Sequence, residues 1–177
     1  RPNPPDVPIY SIEVEKGIKI NCGFWVNSKE CPTILYFHGN GETAPTHGWL
    51  APLYNQRGIN LFVADYRGYG TSDGKPTVSN MMGDAHIIFR GFKEIIAKKD
   101  FNKSLFIMGR SLGSTSAIEL ASNYQDDICG LIVESGSANN FRRLWNYLGL
   151  PAYKQNSFLN KVKIRQVHKP TLIIHGE

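Results

Sequence analysis

The residues best suited to chemistry in this sequence lie in Gly109-Arg110-Ser111-Leu112-Gly113, a G-x-S-x-G pattern. The apolar run Leu105-Phe106-Ile107-Met108 precedes it, and a small-residue stretch with helical spacing, Leu112–Tyr124, follows. A strand entering a tight turn that opens into a helix is the setting the pattern requires. Glycines permit the sharp turn, the serine hydroxyl is lifted above the sheet, and the helix N-terminus favours developing negative charge. The chemistry is nucleophilic attack by Ser111 on a carbonyl. Such attack creates an oxyanion that needs two fixed N–H donors. One is the backbone N–H of Leu112. The other comes from His38-Gly39-Asn40-Gly41, with Asn40 the first choice and Gly41 the second. The competing reading is a serine that merely caps a helix after a glycine turn. It weakens once the second motif stands beside the first.

Several other chemistries are excluded or left without support. In Asp65-Tyr66-Arg67-Gly68-Tyr69-Gly70-Thr71-Ser72-Asp73-Gly74-Lys75, Tyr69 stands where a phosphate loop needs its first glycine, and Pro76 follows Lys75. A rigid, hydrogen-bonded loop is expected there instead. Cys22, Cys31 and Cys129 are widely spaced and odd in number, which predicts free thiols in a reducing, cytoplasmic compartment. No motif asks for a metal or a cofactor, and neither is expected. The net charge is +5, yet seven Lys and Arg residues and no acidic ones fall between Ser135 and Gly176. The basicity therefore belongs to one segment, and without a supporting motif it does not predict nucleic-acid binding. No apolar run approaches a membrane span, and the first residues have no signal-peptide core.

The elements that must position Ser111 follow from periodicity. Ile9–Glu15 and the stretch from Ile18 to Val26 alternate apolar and polar around Gly17 and predict an antiparallel hairpin. Thr33–Phe37, Leu61–Ala64, Leu105–Met108, Leu131–Val133 and Thr171–Ile174 are short, apolar throughout and bounded by turns. These are strands buried on both faces of a parallel sheet. Met81, Ala85, Ile88, Phe89, Phe92, Ile95 and Ile96 recur at helical steps between them. The fold class is α/β with a mostly parallel sheet, built as a single domain over residues 1–177 of 41% hydrophobic composition. In such a sheet chemistry sits beyond the carboxyl ends of the strands.

The opening hairpin, Tyr36-Phe37-His38-Gly39-Asn40-Gly41, the Asp65–Gly70 turn, the G-x-S-x-G turn and Pro170-Thr171-Leu172-Ile173-Ile174-His175-Gly176 occur in an order that resembles the α/β-hydrolase superfamily, especially its small serine esterases and acyl hydrolases. The resemblance implies Ser111 as nucleophile and the Asn40 and Leu112 N–H groups as the oxyanion hole. It implies a small-molecule ester, thioester or other acyl substrate. It also implies a catalytic acid and then a histidine after Ser111. Neither His168 nor His175 occupies the family position, so both partners are expected beyond Glu177 and these residues alone are expected to be inactive. Glu134 is an alternative acid. Residues 139–169 stand where the superfamily inserts a cap, with Phe141 and Trp145 as pocket-lining aromatics. The runner-up reading is a non-catalytic α/β-hydrolase-like binding module, and oligomeric state is left open.

Overall fold

A computed structural model describes residues 7–136 and 160–176. The expected hairpin forms as β1 (Ile9–Glu15) and β2 (Ile18–Trp25), joined through Gly17 at φ 77°. The apolar runs become β3 (Thr33–Phe37), β4 (Asn60–Ala64), β5 (Leu105–Arg110), β6 (Gly130–Glu134) and β7 (Thr171–Ile174). Among the described residues these strands make one sheet in the order β1-β2-β4-β3-β5-β6-β7. β1, β2 and β4 pair antiparallel, and every pairing from β4 to β7 is parallel.

Both faces of the sheet are covered, which explains why its inner strands lack polar alternation. On one face Leu35, Phe37, Phe62, Ala64 and Ile107 pack against α2 (Val78–Lys98) and α3 (Gly113–Asn123). On the other, Ile34, Tyr36, Leu61, Val63 and Met108 meet Trp25 and the short helix α1 (Ala51–Asn55). The predicted periodic residues of α2, from Met81 to Ile96, supply its buried stripe. The helix starts one turn earlier than that stripe because the Thr77 side chain accepts the Asn80 N–H and caps it. The expectation of cover on both faces fails for Thr171–Ile174: all four residues of β7 are exposed among the described residues, because it is the edge strand and pairs only with β6. Among the described residues no helix is long and apolar enough to cross a membrane.

Register decides what meets at the carboxyl ends. Phe37 lies opposite Gly109, and Arg110 opposite Glu134. The exits of β3, β5 and β6 are therefore level, and the motifs that follow β3 and β5 become neighbours.

Candidate active site

Ser111 follows β5 directly and has φ 50°, the left-handed region that a residue with a Cβ enters at a cost of roughly 1–2 kcal/mol. The surroundings enforce it. The Ser111 N–H donates to the Glu134 carbonyl at 2.9 Å, and the Ser111 carbonyl accepts the Ser114 N–H at 3.1 Å. The side chain is left exposed to solvent. Space around the turn is minimal. A Cβ on Gly109 would lie 2.3 Å from the Gly113 carbonyl oxygen, and one on Gly113 would lie 2.0 Å from that of Phe37. Both glycines are there because helix, elbow and β3 touch backbone to backbone. This is a nucleophile elbow in its backbone geometry. Ser114, one turn further on, is fully buried and its hydroxyl donates to the Ser111 carbonyl at 2.6 Å. It braces the elbow from inside and presents no hydroxyl to a ligand.

The loop after β3 is held from several sides. The Gly39 N–H donates to Glu42 Oε2 at 2.9 Å. The Tyr66 hydroxyl donates to the His38 carbonyl at 2.8 Å, and the Tyr69 hydroxyl to Asn40 Oδ1 at 2.5 Å. Burial raises the pKa of both phenols, so each stays a donor. The exposed backbone of Asn40 and Gly41 is carried on this frame. Across the gap, the Leu112 N–H stands at the head of α3, where the first amides have no partner within the helix.

Beneath the loop, His38 is completely buried. Its Nδ1 faces the Gly39 carbonyl at 2.8 Å and its Nε2 faces Asp65 Oδ1 at 3.1 Å. Asp65 is 1% exposed and also accepts the Ala44 N–H at 2.6 Å. The pair thus ties the loops after β3 and β4 together, the structural role for a histidine. The expected rigid loop from Asp65 to Lys75 is found as well. Arg67 grips both oxygens of Asp84 at 2.7 and 2.8 Å, and the Gly68 N–H donates to the Asp73 carbonyl at 3.0 Å. Asp65→Ala should leave His38 Nε2 and the Ala44 N–H buried without their partner. A loss of about 2–4 kcal/mol is expected, or a melting point lower by on the order of 10 °C. Asp65→Asn, which keeps an oxygen for Ala44, should lose clearly less in the same thermal melt. Equal losses would show that the carboxylate charge contributes nothing.

His47 packs against Tyr36 with ring centres 5.0 Å apart and planes tilted by 57°, and its Nδ1 lies 2.9 Å from the Thr43 carbonyl. Burial holds its pKa below the usual imidazole range, against the opposing pull of that carbonyl. In the unfolded chain His47 takes up a proton near pH 6.5, so below that pH the unfolded state binds more protons than the folded one. Stability should therefore fall as pH drops through and below about 6.5. Melting curves between pH 7 and 5 should show a shallower decline for His47→Gln than for the parent. Parallel declines would remove His47 as a source of the pH dependence.

Each of the five histidines has a described position. His38 and His47 are engaged as above, and His86 contacts the Tyr124 hydroxyl and Glu119 at 2.9 and 3.2 Å. His168 precedes β7 and offers its backbone N–H to Gln125. His175 follows β7, two strands from the elbow, with Nδ1 on the Gly176 carbonyl. The Glu134 side chain pairs with Arg110, whose Nε lies 3.4 Å from its Oε1, and not with an imidazole. Phe141, Trp145 and most of residues 139–169 lie outside the described residues. Beside the elbow is a cavity of about 360 Å³ lined by Glu42, Thr46, His47, Trp49, Leu53 and Arg110 among others. Glu42, Arg110 and Tyr69 are the contributors that motif reading passed over. The only local signal was the three-residue step from Gly39 to Glu42, which suits a side chain folding back onto a turn.

A mostly parallel sheet opened by an antiparallel hairpin, with a strained serine between β5 and α3, defines an α/β-hydrolase. The chain matches the family model described as "Serine aminopeptidase, S33" over residues 28–177, and it belongs to that hydrolase family. It is 28% identical over 173 residues to human "Alpha/beta hydrolase domain-containing protein 17B", covering 94% of this chain and 57% of that protein. The Xenopus laevis protein of the same name is 27% identical over 176 residues, again with 94% and 57% covered. The chain thus spans little more than half the length of the curated relatives it matches. Among solved structures, Est1E from Butyrivibrio proteoclasticus with ferulic acid bound superimposes with a TM-score of 0.72 at 24% identity, over 94% of this chain and 78% of Est1E. An esterase from Pyrococcus furiosus also gives 0.72, at 18% identity, over 95% of this chain and 70% of its own. These two likenesses are of fold.

Proposed function

We propose that this chain carries the nucleophile and oxyanion hole of a serine hydrolase that cleaves a carboxylic ester or thioester through an acyl-enzyme. The observation that carries the reading is Ser111: exposed, held at φ 50° at the head of α3, and level with the loop after β3. A serine that only capped a helix would have no need of the left-handed backbone. In the proposed reaction Ser111 Oγ attacks the carbonyl carbon as its proton passes to a general base. The Leu112 and Asn40 N–H groups receive the charge that develops on the carbonyl oxygen. The C–O or C–S bond then breaks, the alcohol or thiol leaves with a proton, and water releases the acid. Among the described residues no histidine hydrogen-bonds the Ser111 hydroxyl, and the base and its acid are proposed to come from residues outside 1–177. Residues 139–169, with Phe141 and Trp145, are proposed as a cap over the site.

A second reading, a non-catalytic α/β-hydrolase-like binding module, is favoured by one observation. His38, His47, His86 and Glu134 are committed to partners other than Ser111. One experiment separates the two. A fluorophosphonate reacts readily only with a hydroxyl that has a base and a formed oxyanion hole. Applied to the full-length protein, with the residues outside 1–177 present, and mapped by mass spectrometry, the adduct should fall on Ser111. Labelling at Ser114 or another serine would overturn the assignment. An unlabelled protein that still binds an ester analogue would establish the binding module.

A further inference from the structure

The two halves of the proposed oxyanion hole are joined by an ion pair that no motif contains. Glu42 Oε2 accepts the Gly39 N–H at 2.9 Å, and its Oε1 pairs with Arg110 Nη1. Arg110 immediately precedes Ser111 and reaches Glu134, at the exit of β6, with its Nε. The connection therefore runs from the loop after β3, through Glu42 and Arg110, to the elbow after β5 and on to β6. On the inner side the same two segments are already in backbone contact, at Gly113 against the Phe37 carbonyl. One contact fixes where the loop leaves the sheet, and the ion pair fixes its outer turn. The Asn40 N–H lies between them.

We infer that Glu42 and Arg110 are positioning residues that set the separation of the Asn40 and Leu112 N–H donors. This rests on the reading of Ser111 as nucleophile. The physical argument is one of geometry. Donors stabilise an oxyanion only when each sits about 2.7–3.1 Å from the position that oxygen reaches in the transition state. The two donors here belong to different elements, so their spacing depends on whatever ties those elements together. Glu42 and Arg110 are 25% and 44% exposed, and a pair so open to water contributes little to global stability. Its effect should therefore appear in turnover and not in melting.

Steady-state hydrolysis of a small aryl ester by the whole protein reads this directly. Glu42→Ala and Arg110→Ala should each lower kcat roughly tenfold with KM changed less than twofold. That is less than the 10²–10³ lost when a donor is removed outright. The double variant should be no worse than either single, because the two act as a unit. Arg110→Lys, which keeps the charge, should recover most of kcat, and the melting temperature should move little in the Arg110 variants, while Glu42→Ala should lose a few degrees with the Gly39 N–H bond. A labelled, active parent whose kcat is unchanged by Glu42→Ala and Arg110→Ala overturns the inference and leaves Ser111 standing. A parent with no Ser111 labelling removes the hydrolase reading instead. Hydrogen exchange then tests the ion pair by itself. Arg110→Ala, which leaves the Glu42 bond to the Gly39 N–H in place, should speed exchange in the peptide spanning residues 38–43 while exchange in β3 stays slow. Unchanged exchange would show that the pair does not hold the loop.

Discussion

Ser111→Ala should abolish phosphonate labelling and lower ester turnover roughly 10⁴-fold or more, the scale on which loss of a serine nucleophile acts. What makes the expectation specific is the behaviour of its neighbours. Ser111→Gly should be equally inactive and yet more stable by about 1 kcal/mol, because glycine takes φ 50° without the penalty that a Cβ brings. A gain in stability together with a loss of function marks strain kept for chemistry. Ser114→Ala should do the reverse. Losing its buried bond to the Ser111 carbonyl should cost about 1 kcal/mol while labelling persists. Thermal melts and labelling on these three variants separate the roles. If Ser111→Gly proved less stable than the parent, the hydroxyl would be supporting the fold. If Ser114→Ala alone lost labelling with its fold intact, the nucleophile would have to be reassigned. Under the binding-module reading none of the variants has turnover to lose, and only the stability differences remain.

Gly113→Ala is expected to destabilise the protein by several kcal/mol, on the order of 3 or more, and to remove Ser111 labelling with it. Two effects oppose each other at this position. Alanine is the better helix former, by about 1 kcal/mol. Against that, the new methyl would sit 2.0 Å from the Phe37 carbonyl oxygen, 2.5 Å from its carbon and 2.8 Å from the His38 carbonyl oxygen. All three are backbone atoms of β3 and of the loop that carries Asn40, so relief requires α3 to move away from the sheet. Overpacking of this kind outweighs helix propensity. Gly83 of α2 provides the control. A Cβ there meets nothing within 4 Å, so Gly83→Ala should stabilise by about 0.5–1 kcal/mol through propensity alone. The opposite signs of two glycine-to-alanine changes in helices can be read in one series of melts. A stable, labelled Gly113→Ala protein would mean that the contact between α3 and β3 is not needed to hold the elbow.

The sequence by itself determined the elements and their chemistry. Leu105–Met108 had to be a strand and Leu112–Tyr124 a helix, and the G-x-S-x-G turn between them admits few backbone paths. These are short-range steric rules, and they operate wherever the segment ends up. The same holds for the apolar runs of the inner strands, whose lack of alternation already required cover on both faces, whereas the equally apolar β7 is exposed at the edge. Tertiary structure alone decided which strand lies beside which. β2 pairs with β4, not with the β3 that follows it in the chain, and β3 then lies between β4 and β5. It also decided that Phe37 stands level with Gly109, which brings the loop of Asn40 to the elbow. Glu42 and Arg110 are 68 residues apart, and a charged side chain looks the same in sequence whether water or a partner solvates it. His38 shows no partner in the sequence. Only the Asp65 carboxylate beneath it, brought there by the β4 exit, made it a strut. The distinction between Ser111 and Ser114 has the same origin. One lies on the open side of a turn that β3 and β6 press from below, and the other inside it, so tertiary contact and not residue type decides which hydroxyl a substrate can reach.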